Sequence, residues 1–174
     1  MTDTQTPDAL VDKRAQKAGD PELSKQHIAK VIRYEKPELK RDRHVVSFGR
    51  TDSMMVFMQI LLNAGENSLH MHPNTDSFWW VVRGKAAFFT TDHELIAELD
   101  AEQGVIIPRD YPYYFNAVGD EHLEVLQIES FLRQGERLQT VFLEEDRIGE
   151  YEFTAVGEYA SEPPAPVPAA PGAQ

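Results

Sequence analysis

Two histidines stand two positions apart in the segment Gly65-Glu-Asn-Ser-Leu-His70-Met-His72-Pro-Asn-Thr-Asp76-Ser-Phe-Trp-Trp-Val-Val-Arg-Gly84. Successive side chains of an extended chain point to opposite faces, so this spacing predicts that His70 and His72 share one face. A carboxylate, Asp76, follows four residues later. Imidazole and carboxylate are common ligands of transition metals, so the segment predicts the start of a metal site.

The composition limits what such a site can contain. The chain has 174 residues, of which 41% are apolar, and this is enough for one domain with a sizeable core. Cysteine is absent, so any metal must be held by nitrogen and oxygen. No apolar run approaches the roughly 20 residues that cross a bilayer, and the N-terminus lacks the apolar core of a secretory signal. We therefore expect a cytoplasmic protein that does not bind membranes.

Charge divides the chain into two unequal parts. The formal net charge is −12, but residues 1–44 carry ten Lys or Arg and eight Asp or Glu, while the rest of the chain carries seven and twenty-one. Nucleic-acid binding needs clustered Lys and Arg, so the acidic body argues against it. The basic segment 36–43 is either an arm that lies on an acidic body, its own or a partner's, or a solvated linker of mixed charge.

Short apolar segments rich in strand formers follow one another closely after residue 43, with turn residues between them. This pattern predicts an all-β sandwich or barrel and leaves no room for alternating strands and helices. We predict an N-terminal arm over residues 1–44, partly disordered, a β-barrel over 45–157, and a disordered Pro/Ala-rich tail over 158–174. The predicted strands are 44–48, 54–62, 78–82, 85–90, 94–99, 105–107, 113–115, 123–128 and 139–143.

Two glycine-containing motifs in this region occur in the order of a known superfamily. The first comprises Gly65, the two histidines and Gly84, and the second comprises Gly104, Pro108 and Asn116. On these residues the chain resembles the cupins over roughly residues 50–130. The resemblance implies a cupin-type double-stranded β-helix, also called a jelly-roll barrel.

The chain also departs from the cupin motifs. The motif glutamate falls at Ser77, with Asp76 one residue earlier, the second-motif histidine falls at Tyr113, and Asp110 replaces a motif glycine. The resemblance implies a divalent transition metal bound at His70 and His72, with iron the first candidate and zinc, manganese, nickel and copper the alternatives. Whether Asp76, Ser77 or Tyr113 completes the ligand set is left open.

Four further residues are candidates for the pocket. Tyr113 is predicted as a catalytic acid or base, or as a metal ligand, and its alternative is a packed aromatic residue. If position 77 points inward, so does Trp79, which then forms the floor of an apolar substrate pocket while Trp80 packs outside. Gln59 and Gln127 each interrupt an apolar strand, and each either binds substrate or marks an exposed face.

Three classes of function follow from the resemblance. The first is a metal-dependent enzyme acting on a small organic molecule, with a dioxygenase or other oxidoreductase placed first. The second is a lyase, dehydratase, isomerase or epimerase that uses acid–base chemistry at Tyr113 and a histidine. The third is a non-catalytic small-molecule-binding protein. The resemblance also implies pairing of subunits through sheet edges, so we expect a homodimer in which residues 26–43 cross between subunits.

Overall fold

The computed structural model of this protein describes residues 29–62 and 68–144, together with the strands Leu10–Val11, Glu152–Ala155 and Tyr159–Ala160. Three predictions fall outside these residues. They are the motif glycine Gly65, the disorder predicted for part of the N-terminal arm, and most of the tail 158–174.

The described residues form β-strands and a single 3-10 turn at Thr91–His93, so the all-β prediction is confirmed. Five short strands, at 10–11, 30–31, 70–71, 152–155 and 159–160, add to the predicted ones, and the strand predicted at 78–82 begins three residues earlier, at Thr75. The strands are β1 (Leu10–Val11), β2 (Lys30–Val31), β3 (Arg43–Arg50), β4 (Met54–Leu61), β5 (His70–Met71), β6 (Thr75–Arg83), β7 (Lys85–Phe89), β8 (Leu95–Asp100), β9 (Gly104–Ile107), β10 (Tyr114–Ala117), β11 (Leu123–Phe131), β12 (Gln139–Phe142), β13 (Glu152–Ala155) and β14 (Tyr159–Ala160).

The largest sheet has six strands in the order β13-β3-β4-β11-β6-β9. Its pairs are antiparallel except for β13 and β3, which run parallel. A second sheet has the order β10-β7-β8, a third has the order β1-β12-β5, and β14 pairs with β2. A β-bridge between His70 and Tyr113 joins β5 to the segment before β10, so it links the second and third sheets.

The main core lies between the first two sheets. Residues of β4, β6 and β11 point inward at every second position and meet the apolar residues of β7, β8 and β10, as the two-residue period of a strand requires. This cluster places an aromatic and aliphatic wall next to the two histidines. Its buried members are Leu61, Trp79, Val81, Ala86, Phe88, Leu99, Ile107, Tyr113, Phe115, Leu123 and Val125.

The segment before β3 packs on the outer face of the six-stranded sheet. Tyr34 and Leu39 contact a second cluster formed by Val46, Met58 and Ile60. Lys36 of the same segment forms an ion pair with Glu124 of β11, with 2.7 Å between Nζ and Oε1. This part of the arm therefore lies on the acidic body of its own chain. Among the described residues, no helix has the length and apolarity that a membrane crossing requires.

Candidate functional site

The structure places His70 and His72 side by side in the interior. His70 belongs to β5, and His72 follows that strand directly. Both side chains are buried, and their ring centroids lie 4.9 Å apart with the ring planes 72° from each other. The two-residue spacing thus brings both imidazoles to one face of the chain, where they form the centre of the candidate site.

Main-chain carbonyl groups fix the orientation of both imidazoles. The Nδ1–H group of His70 donates to the carbonyl of Ser68 at 2.7 Å, and the Nδ1–H group of His72 donates to the carbonyl of Gln139 at 2.8 Å. A carbonyl oxygen only accepts, so in each neutral ring the proton is on Nδ1 and the lone pair is on Nε2. The site therefore presents two neighbouring Nε2 lone pairs.

Burial keeps His70 uncharged. It lowers the pKa of His70 to about 3, with a smaller contribution in the same direction from His72. The hydrogen bond to Ser68 acts the other way but does not compensate. His70 is therefore a neutral imidazole near pH 7, which is the form that binds a metal or accepts a proton.

Tyr113 lies against His70. The two residues exchange main-chain hydrogen bonds, and their ring centroids are 4.6 Å apart. Burial raises the pKa of the Tyr113 phenol well above its usual value, and the negative charge of Glu129 raises it further. The polar groups of Ser77 and Trp79 act in the opposite direction but do not compensate. Tyr113 therefore keeps its proton near pH 7.

Trp79 forms the apolar wall beside Tyr113. Its side chain is only 1% exposed, and its ring centroid lies 4.9 Å from Phe115, 5.8 Å from Phe88 and 6.0 Å from Tyr113. Its Nε1–H group has no hydrogen-bond partner among the residues that the structure describes. Trp80 points to the other face of β6, where it is 37% exposed.

The structure does not bring Asp76 to the imidazoles. Its side chain is 45% exposed, one carboxylate oxygen accepts the Arg109 main-chain N–H at 3.0 Å, and the other lies 3.7 Å from the Arg109 guanidinium. Asp76, left open as a third ligand, would reach the imidazoles only if a bulge turned it inward, because it stands one residue from the motif position. Instead β6 begins at Thr75 and pairs with β11 without a bulge at this point, so Ser77 points inward and Asp76 points outward. Within the described residues, no three His, Asp or Glu side chains form a metal-binding group.

Gln59 and Gln127 both point inward, but they bond to each other. Gln59 Nε2 donates to Gln127 Oε1 at 2.5 Å, Arg43 donates to Gln59 Oε1 at 2.7 Å, and Gln127 Nε2 donates to Glu129 at 2.5 Å. Arginine only donates and a carboxylate only accepts, so the two ends of this chain fix both amide orientations. The two amides thus connect the guanidinium of Arg43 to the carboxylate of Glu129, and each amide already makes a hydrogen bond on both sides.

Glu129 is a site residue that the sequence analysis missed. Its side chain is fully buried, and it accepts hydrogen bonds from Thr75 at 2.6 Å and from Ser77 at 2.8 and 2.9 Å. Glu129 pairs directly across from Ser77, which occupies the position of the motif glutamate. A carboxylate therefore reaches this part of the interior from β11 instead of β6. The sequence signal that could have found Glu129 is its position two residues after Gln127, because in a strand this spacing places both side chains on the same face.

Steric crowding explains why two of the motif positions, Gly84 and Gly104, carry no side chain. A Cβ at Gly84, where φ is +76°, would lie 2.6 Å from the carbonyl oxygen of His122, and a Cβ at Gly104 would lie 2.5 Å from that of Trp79. Asp110, which replaces a motif glycine, still adopts a left-handed φ of 62°, a conformation that aspartate tolerates better than most residues. These positions keep the backbone course of the motifs despite the altered side chains.

Solved structures with a similar chain course were found, whereas no family model and no curated protein matches the sequence. One is an uncharacterized conserved protein with a double-stranded β-helix domain from Klebsiella pneumoniae, with a TM-score of 0.54 and 17% identity over 64% of this chain and 87% of that one. KdgF from Halomonas sp. has a TM-score of 0.49 and 15% identity, covering 57% and 90%. An RmlC-like cupin protein from Desulfovibrio desulfuricans has a TM-score of 0.49 and 15% identity, covering 57% and 96%.

The likeness to the Klebsiella protein shows that this chain is a double-stranded β-helix protein, the architecture of the cupins. The predicted cupin-type fold is therefore confirmed. At this level of identity the comparison concerns the fold alone, and function has to be argued from the site.

Proposed function

We propose that this protein is an enzyme acting on a small organic molecule, with His70, His72 and Tyr113 at its reaction centre and a divalent transition metal held by the two imidazoles. One observation carries the proposal. Both Nδ1 atoms donate to main-chain carbonyls, so both Nε2 lone pairs are oriented for a ligand or a proton. A ring nitrogen anchored in this way is typical of histidines that bind metals.

The chemistry of the donor set fits a transition metal. Two neutral nitrogen donors suit iron, zinc, manganese, nickel or copper, and they leave coordination positions for water and substrate. Tyr113 would join as a ligand only after losing its proton, which burial and Glu129 oppose. Asp76 faces away and is not part of the proposed site. We therefore assign the metal to His70 and His72, and we assign to Tyr113, which is protonated before the reaction, the role of a hydrogen-bond or proton donor.

The chain's own residues perform three tasks in this proposal. Tyr113 donates a hydrogen bond or a proton from Oη to the reacting molecule. Trp79, with Phe88 and Phe115 behind it, excludes water from one side of the site. The bound metal supplies Lewis acidity and, in an oxidative reaction, redox chemistry. Oxygen consumption would identify the oxidative form, the dioxygenase that the sequence resemblance placed first.

A second candidate function is favoured by the protonated state of Tyr113. A buried phenol that keeps its proton can donate it to an oxygen on which negative charge develops, and the neutral His70 beside it offers the Nε2 lone pair as an acceptor. This pair supports a lyase, dehydratase, isomerase or epimerase that needs no redox step. Turnover without oxygen consumption, lost in Tyr113→Phe, would favour this candidate. A non-catalytic binding protein would instead retain its ligand and show no turnover.

The homodimer expected from the sequence stays a prediction. Three apolar side chains on the outer face of β6 and on β9 support it, because Trp80, Val82 and Ile106 are exposed. Sedimentation velocity of the full-length protein tests it, and a single species with the mass of one chain at micromolar concentration would exclude it.

Metal analysis by plasma mass spectrometry tests the main proposal. The purified full-length protein should carry close to one transition metal per chain, and His70→Ala and His72→Ala should each lose nearly all of it. Asp76→Ala is the matched control, because its side chain lies on the outer side of the same segment and its loss should leave the metal content unchanged. Full occupancy in either histidine variant, with folding verified by circular dichroism, would contradict the ligand assignment.

A further inference from the structure

The main-chain carbonyl of Gln139, which anchors the His72 ring, faces a proline. Strand β12 runs antiparallel to β5, and at the ends of both strands Leu143 donates its main-chain N–H to Leu69. In this register every second pair of opposite residues exchanges main-chain hydrogen bonds, and four residues earlier in the chain that pair is Gln139 and Pro73. Proline has no N–H to donate. The Gln139 carbonyl is therefore open to another donor, and the Nδ1–H group of His72 occupies it at 2.8 Å.

The side chain of Asn74 binds the other main-chain group of Gln139. Its Oδ1 accepts the N–H of Gln139 at 3.1 Å, and its Nδ2 donates to the carbonyl of Arg137 at 2.8 Å. A main-chain N–H only donates and a carbonyl only accepts, so these two partners fix the orientation of the Asn74 amide. The Asn74 side chain is buried. It therefore ties down the main chain on both sides of Leu138 inside the protein.

Asn74 and His72 thus hold the same residue from either side of Pro73. The N–H and C=O groups of one strand residue point to the same side of the strand, so a bond to the N–H of Gln139 also fixes where its carbonyl points. The hydroxyl of Thr140 lies 3.4 Å from Nδ1 of His72, which is a long and weak contact beside the carbonyl bond of 2.8 Å. The orientation of the His72 ring therefore depends on a peptide group that Asn74 holds in place.

We propose that Asn74 is a positioning residue of the candidate metal site: it holds the Gln139 carbonyl, and that carbonyl keeps Nε2 of His72 directed into the site. The inference rests on the proposed function in taking His72 as a ligand, and it adds a residue that acts through that ligand. Removing a group that orients a ligand in this way typically lowers metal affinity about 10–100-fold. His70 provides an internal reference, because the carbonyl of Ser68 anchors its ring independently of Asn74.

The tautomer of each imidazole gives the test that is specific to this role. Full-length ¹⁵N-labelled protein is freed of metal with a chelator and kept at about pH 8, where imidazoles are largely neutral. Long-range ¹H–¹⁵N spectra then distinguish Nδ1–H from Nε2–H rings, and His70→Ala and His72→Ala assign the signals. Both rings should carry their proton on Nδ1 in the unaltered protein. In Asn74→Ala the ratio of the Nδ1–H to the Nε2–H form should fall about fivefold at His72, as for the loss of one neutral hydrogen bond, and stay unchanged at His70.

Two further variants and a metal titration complete the experiment. Asn74→Leu keeps the volume of the side chain nearly constant and removes both hydrogen bonds, so it should change the His72 ratio as Asn74→Ala does. Thr140→Val is the matched control, because it removes the hydroxyl near Nδ1 of His72 and should leave the ratio unchanged. Zinc titrated against a competing chelator should bind the Asn74 variants at least about tenfold more weakly than the unaltered protein.

Several results would overturn the inference. It fails if His72 carries its proton on Nε2 in the unaltered protein, if the His72 ratio or the zinc affinity is unchanged in either folded Asn74 variant, or if the ratio changes equally at His70. A change in Thr140→Val as large as that in Asn74→Ala also overturns it, since the hydroxyl would then be the anchor. If circular dichroism shows both Asn74 variants unfolded, Asn74 serves the fold as a whole and the inference fails as well. Failure of the metal assignment would instead appear as absence of zinc from the unaltered protein, while the tautomers, which are read without metal, remain as expected.

Discussion

The two faces of strand β6 differ in their burial and in the groups that they contact. Ser77 and Trp79 point inward and are buried, and Ser77 contacts the only fully buried carboxylate among the described residues, Glu129. Asp76 and Trp80 point outward and are partly exposed. Residues adjacent in sequence and similar in chemistry therefore have unrelated roles. The comparison teaches that in this fold the strand period, and not the residue type, decides which groups reach the site.

The largest difference between the two faces should appear in the tryptophans. Trp79→Ala removes a fully buried ring from the main core, so we expect the free energy of unfolding to fall by about 3–5 kcal/mol. Trp80→Ala should reduce it by about 1 kcal/mol or less, because that ring remains partly in water. Urea denaturation of both variants measures the difference. Equal losses would show that the outer face is as tightly packed as the inner one.

A smaller difference is expected between two glutamates. Glu129→Gln replaces the acceptor of Thr75, Ser77 and Gln127 by a group with one oxygen, so buried donors lose their partner and the free energy of unfolding should fall by about 2 kcal/mol. Glu121→Gln is the control, because the ion pair of Glu121 with Arg83 is more than half exposed at both ends and the change should not be measurable. Thermal or urea unfolding of the two variants at pH 7 tests this. An unchanged Glu129→Gln protein would mean that the network contributes nothing to stability.

The smallest predicted effect on stability concerns Glu124, which forms an ion pair with Lys36 of the segment before β3. Burial alone would raise the pKa of Glu124, but hydrogen bonds from Lys36 and His122 hold it below its usual value. The ionised carboxylate therefore stabilises the folded state above the unfolded pKa of about 4.3, and this contribution is lost as the pH falls through the lower folded pKa.

Lys36→Met should accordingly reduce the free energy of unfolding by about 1 kcal/mol at pH 7, and the difference from the unmodified protein should shrink as the pH falls below about 4. Denaturation at a series of pH values measures it, with Arg83→Met as the exposed control. A difference that stays constant down to pH 2 would indicate that Lys36 acts through packing and not through charge.

The fold was predictable because its signals are local. Gly84 and Gly104 stand where any side chain would collide with a main-chain carbonyl, so the backbone course itself demands them. Asp110 retains the left-handed conformation even though the glycine is gone. The pairing of the two histidines also needed only the period of an extended segment. Such features depend on a few neighbouring residues, and these can be found in a single sequence.

The remainder of the site depends on contacts between distant segments. Asp76 faces outward because β6 begins at Thr75, and that beginning follows from pairing with β11, more than fifty positions later in the chain. Glu129 reaches the interior through the same pairing, opposite Ser77. Register between separate strands is set by tertiary packing and not by local pattern, so the sequence left the direction of Asp76 open and Glu129 was overlooked.

The proposed function depends most on the two imidazoles binding one metal through their Nε2 atoms. Anomalous diffraction from crystals of the metal-loaded protein, recorded at the absorption edge of the bound metal, locates that ion directly. We predict one strong peak in the barrel interior, at about 2.0–2.2 Å from Nε2 of both His70 and His72. A peak elsewhere in the molecule, or no peak near either ring in a protein shown to carry metal, would contradict the proposal.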